Sequence, residues 1–181
     1  IDACLVGSEM CIRDRNCGID ISGNQTIDIG SSIDVNDVTG ININSISNTL
    51  TIDGDITVNS NVDSARGISL TNSPASNNVI NMIGNISTTS SGGAVKMHGI
   101  LLNDGASNNT VNVTGNVSTS GNNSSGVIIY KGSDNNNVTL TGNINLTGTA
   151  NSFGVRLYGS SGQVSDDNVV TVNGNINTVN H

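Results

Sequence analysis

NTVNVTGNVSTSGNNSSGVIIY, residues 109–130, decides the fold. It is one round of a pattern whose fixed point is a Gly, then Asn or Asp, then a β-branched residue. The pattern returns as Gly54-Asp55-Ile56, Gly84-Asn85-Ile86, Gly115-Asn116-Val117, Gly142-Asn143-Ile144 and Gly174-Asn175-Ile176. The intervals are 30, 31, 27 and 32 residues. Self-similarity in this range marks an architecture of stacked repeats.

Three apolar pairs accompany each Gly. Before it come Leu50/Ile52, Ile80/Met82, Val111/Val113, Val138/Leu140 and Val170/Val172. After it come Ile56/Val58, Ile86/Thr88, Val117/Thr119, Ile144/Leu146 and Ile176/Thr178. A second Gly introduces Ile41/Ile43, Ile68/Leu70, Ile100/Leu102, Val127/Ile129 and Val155/Leu157. The positions between are mainly Asn, Thr, Ser and Asp, the period of a short strand with one buried face. No window sustains a helical period. The expected fold is therefore all-β: a single-stranded parallel β-helix with three short strands per coil. It has about 30 residues per coil and five or six coils over residues 16–181. An antiparallel sandwich would explain the alternation but not the return of the same three strands at the same offsets.

An Asn precedes each repeat Gly by six residues: Asn48, Asn78, Asn109, Asn136 and Asn168. Stacked at a solenoid corner, these amides can bond their equivalents above and below. Six inward side chains per coil, at about 1.5–3 kcal/mol each, give on the order of 10 kcal/mol per coil before entropy is subtracted. Stacked coils are viable on that figure, and one coil alone is not.

Residues 4–15, CLVGSEMCIRDR, stand apart. They resemble the translation of a transposon-type sequencing-library adapter, which reproduces Leu5–Asp14 without a gap. Residues 1–15 are accordingly expected to be a non-native segment, and residues 16–181 a solenoid fragment truncated at both ends, with the solenoid continuing beyond each. Setting the segment aside removes Cys4 and Cys11, leaves Cys17 alone, and so leaves no disulfide or Cys-metal framework. Residues 16–40 form an irregular first coil, with Ile27/Ile29 and Ile33/Val35 echoing the pattern.

The formal charge of −8 and the scarcity of basic residues argue against a nucleic-acid partner. Nothing in the sequence suggests direct insertion of this segment into a membrane. Candidates for chemistry are few. His98 precedes a third strand and is expected to be an exposed turn residue; His181 is far from it in the repeat frame. Asp104, Asp134 and Asp166/Asp167 fall in the turn after the third strand, with Lys131 nearby. Aligned, they would suit Ca²⁺ or an acid–base pair, although Asp is also what turns use. Tyr130 and Tyr158 hold equivalent places and should stack one coil apart, either filling a packing gap or forming a sugar platform. Thr runs such as Thr110–Thr114 suggest a remote ice-binding alternative, weakened because the Thr positions do not repeat in every coil. No catalytic, cofactor or metal residue is assigned.

The units NNTVNVTGNVSTSGNNSSGVIIY (108–130) and NNNVTLTGNINLTGTANSFGVRLY (135–158) resemble passenger repeats of bacterial autotransporters and related large surface proteins. The resemblance covers residues 49–181. It implies export, display at the bacterial cell surface on an outer-membrane barrel, and a structural or adhesive role toward glycans or proteins without catalysis. The alternative of a different class is a β-helix polysaccharide lyase or glycoside hydrolase.

Overall fold

The repeat dictates its own architecture. The apolar face of a short strand must be covered, and a strand equivalent one coil away offers an identical face and an open hydrogen-bonding edge. The computed structural model describes residues 17–148, 150–160 and 162–179; residues 1–15 and His181, singled out above, lie outside them. After β1 (Cys17–Ile21), the strands come in threes. They are β2 (Thr26–Ile29), β3 (Ile33–Asn36) and β4 (Thr39–Ile43), then β5 (Thr49–Asp53), β6 (Ile56–Ser60) and β7 (Arg66–Thr71). The third set is β8 (Val79–Ile83), β9 (Ile86–Ser90) and β10 (His98–Asn103), and the fourth is β11 (Thr110–Thr114), β12 (Val117–Thr119) and β13 (Ser125–Tyr130). β14 (Asn137–Thr141), β15 (Ile144–Leu146) and β16 (Phe153–Tyr158) follow, then β17 (Val169–Asn173) and β18 (Ile176–Thr178).

Every third strand joins the same sheet. The first sheet runs β1-β4-β7-β10-β13-β16, the second β2-β5-β8-β11-β14-β17, and the third β3-β6-β9-β12-β15-β18, all with parallel neighbours. The molecule is a parallel β-solenoid of about five turns, roughly 28 residues per turn. One strand differs from the sequence reading. Residues 17–21 belong in that reading to the irregular first coil of the solenoid, with no strand named there, and they form β1 and pair with β4. The Ile19/Ile21 alternation carries the signal, but no repeat Gly-Asn precedes it.

The inward side chains pile up by kind. Leu50, Ile80, Val111, Val138 and Val170 are successive register partners in the second sheet, and the first four are fully buried. The inward column of the third sheet runs Val35, Val58, Thr88, Thr119, Leu146 and Thr178. Thr88 and Thr119 are buried there, and their hydroxyls have no partner.

Both recurring glycines have a steric reason. At the corner between the second and third sheets, a Cβ on Gly84, Gly115 or Gly142 would run into the carbonyl of the corner Gly one coil earlier. Their φ values of +146°, +152° and +150° also disfavour any side chain. In the first sheet, a Cβ on Gly67, Gly99 or Gly126 would strike Ile86, Val117 or Ile144 of the core.

The Asn ladder is built as its spacing implies. Each backbone N–H and each Nδ2 donates to the next Oδ1: Asn48 to Asn78, Asn78 to Asn109, Asn109 to Asn136 and Asn136 to Asn168, all at 2.8–3.0 Å. The other Nδ2 proton goes to a turn carbonyl, as Asn109 to Ala75 and Asn136 to Ala106. Ser47, Asn77, Asn108, Asn135 and Asp167, each just before a ladder Asn, all have φ between 54° and 58°. Asn and Asp tolerate that left-handed conformation best among non-glycine residues. At the Gly-Asn corner a second, exposed ladder runs the opposite way: the N–H of Asn85, Asn116, Asn143 and Asn175 donates to the side-chain oxygen of the preceding coil.

Candidate functional site

The outer face of the first sheet differs from the other two. The second sheet presents mixed Thr and Asn rows, such as Thr51, Asn81, Asn112, Thr139 and Thr171. The rows are not pure Thr, as the sequence reading noted. The first sheet instead carries the row Arg66, His98, Ser125 and Phe153, the row Ser69, Leu101, Ile128 and Arg156, and the register pair Tyr130 and Tyr158.

Tyr130 and Tyr158 stack with ring centroids 5.0 Å apart and planes 11° from parallel, as their equivalent places imply. Lys131 Nζ lies 5.3 Å from the Tyr130 centroid. The Arg156 guanidinium sits 4.3 Å from the Tyr158 centroid and 4.7 Å from that of Phe153. The ring faces are thus engaged by each other and by cations, so they serve to hold charged groups rather than to lie flat against a sugar. Burial pushes the Tyr130 phenol above its usual range.

His98 corrects the sequence reading. It is not an exposed turn residue: β10 begins with it, and it is 8 % exposed. A Cβ at Gly99 would enter the core, so the neighbouring His98 takes the outer face, between Arg66 and Ser125 in register. Burial lowers its pKa to about 4, with further depression from Arg66, Arg156 and Lys96. Three cations therefore bear on one neutral imidazole whose Nδ1 has no hydrogen-bond partner. Arg66 Nε, Asn103 Oδ1 and Ser125 Oγ on the same sheet are likewise buried and unpartnered. Leu101 and Ile128 are also buried, 1 % and 3 % exposed, although the interior cluster does not include them. The sequence reading missed both because it paired only Ile100/Leu102 and Val127/Ile129; the unbroken apolar runs ILL and VII were the available signal.

The carboxylates do not form the aligned set considered above. Asp104 comes one residue after β10 and Lys131 one residue after β13, so the two meet as an ion pair at 3.3 Å. The Asp104 carboxylate holds the Lys131 ammonium above its usual range. Asp134 and Asp166 do adjoin, but the Asp134 carboxylate accepts the Asp166 N–H at 2.8 Å and acts as a turn brace. Among the described residues no three of His, Cys, Asp and Glu gather as a metal site would require. A shallow groove of about 270 Å³ between the third and first sheets is lined by small groups, among them Ser90, Ser120, Asn122 and Thr147.

No family model, curated protein or solved structure matches this chain. Its role has to be argued from its own geometry.

Proposed function

We propose that this chain is a structural and adhesive segment of an exported bacterial surface protein of the autotransporter-passenger kind, with no catalysis of its own. The supporting observation is the buried amide ladder running unbroken from Asn48 to Asn168. Each coil receives from its neighbour three parallel pairings and a saturated corner amide, a design for a stiff rod rather than for a cleft. Such a rod holds a binding region away from the cell, and its sides offer Asn, Thr, Ser and cationic groups to glycans or proteins. The passenger assignment rests on the repeat units at 108–130 and 135–158.

The test is incubation of the purified chain with a panel of acidic and neutral polysaccharides, followed by both retention and product release. Retention without cleavage is expected. Release of oligosaccharides that Asp134→Ala abolishes would replace this reading with a polysaccharide-cleaving enzyme.

A further inference from the structure

We propose that the outer face of the first sheet, from Arg66 to Tyr158, is a binding strip for a sugar chain that carries carboxylate groups. The proposal rests on the adhesive reading above and names what is held.

Charge is sorted within the molecule. The chain is acidic, at −8, with six Lys and Arg in all. Two of these, Arg13 and Arg15, precede the described residues; Arg66, Lys96, Lys131 and Arg156 all lie in or beside strands of the first sheet. Phe153, Tyr130 and Tyr158, which are all the aromatic residues of the chain, lie there too. One cation stands in or beside the strand of each of four successive coils, at a different place along the strand each time, so positive charge is spread over the face and suits a polymer that carries several anions. Among the described residues the one acid paired with these cations is Asp104, on Lys131.

The chemistry of the face asks for more than negative charge. His98 Nδ1 has no partner, Asn103 Oδ1 is an acceptor without a donor, Ser125 Oγ can do either, and Arg66 Nε is a donor without an acceptor. A ligand that brings both hydroxyls and anions satisfies all four kinds of need, and an acidic sugar chain is that ligand. Arg66 and Arg156 are only partly buried, and on this proposal a shift of Arg66 toward the ligand gives the ligand's hydroxyls access to the inner atoms. Two of the cations are arginines, whose planar fork pairs with a carboxylate through two parallel hydrogen bonds. Phe153 and Tyr158 hold the Arg156 fork in place from either side.

Calorimetric titration with oligogalacturonate, its methyl-esterified form and dextran sulfate tests this. Oligogalacturonate should bind, more weakly as salt rises, and esterification should weaken binding at least about tenfold because the charge-assisted pairs are lost. Arg156→Ala should weaken it roughly tenfold, while Asn112→Ala on the second sheet should leave it unchanged. The His98 imidazole resonances, read by NMR, should shift on titration. Circular dichroism confirms that each variant is folded, and Arg156→Gln replaces the alanine variant if that one is not. Equal affinity for the esterified chain, tighter binding of dextran sulfate, or full affinity in a folded Arg156 variant would overturn the proposal. So would a dimer, seen by sedimentation, that the Arg156 variant dissolves, since the strip would then belong to a second copy. Failure to bind removes the strip and leaves the rod; cleavage of the titrant removes the non-catalytic reading and leaves the strip.

Discussion

Asn109 and Asn116 are seven positions apart, belong to the same coil, and have opposite tolerances. Asn109 is buried, accepts from the N–H and Nδ2 of Asn78, and donates both Nδ2 protons, to Ala75 O and Asn136 Oδ1. Asp at this place lacks both donors and sets a charge against two oxygens. Asn109→Asp is expected to cost about 3–5 kcal/mol, the range for an uncompensated buried charge. Asn116 accepts from Asn143 N–H, and its own Nδ2 makes only a long, exposed contact. Asp already stands in the equivalent place at Asp55. Asn116→Asp should therefore cost less than about 1 kcal/mol. Urea midpoints of the two variants check both values. His98 supplies a pH signature at the same scale. Its pKa is about 4 folded against 6.5 for the free side chain, so between these values the unfolded chain binds more protons and stability rises with pH. The contribution is full above about pH 6.5 and is lost progressively as pH falls toward 4. Removing it with His98→Gln should shrink the pH 7 to pH 4 loss of stability by on the order of 3 kcal/mol. An unchanged pH profile would place His98 in water.

At the scale of the strand, inward and outward places are set by alternation and tested by paired substitutions. Val113 is buried and its neighbour Asn112 is on the outer face, bonded to Asn81. Val113→Asp should cost several kcal/mol and Asn112→Asp less than about 1; equal denaturation midpoints would show the faces misassigned. The column of Thr88 and Thr119 offers a gain instead. Thr119→Val keeps the shape and removes a buried hydroxyl that has no partner, which should stabilise by about 1 kcal/mol. The second and third sheets were legible in the sequence because their pairs sit at fixed offsets from the corner Gly. The turn after the third sheet varies in length, from residues 37–38 to residues 91–97. The start of the next strand therefore floats, which is why His98 reads as turn. Alternation also breaks at the inward Gly of the first sheet, so period-two counting does not show that Arg66, His98 and Phe153 share a face with Arg156 and Tyr158.

For the whole molecule, stability is close to a sum over neighbouring coils. The coil that includes β17 and β18 has neighbours on one side within the described residues, and Val169 and Ile176 are about half exposed. Amide exchange should be slowest in β8, β10 and β11 and fastest in β17 and β18. The stack itself was legible because each coil repeats the same constraints; the basic strip was not, because it is assembled once, from single residues on different coils. The stacked register is the claim on which the rod, the ladders and the strip all depend. Methyl–methyl NOE spectroscopy of the Val-labelled chain tests it most directly. The account predicts contacts of Val138 with both Val111 and Val170, and no contact between Val111 and Val170. Absence of the Val138 contacts with Val111 and Val170 in the folded chain would contradict it.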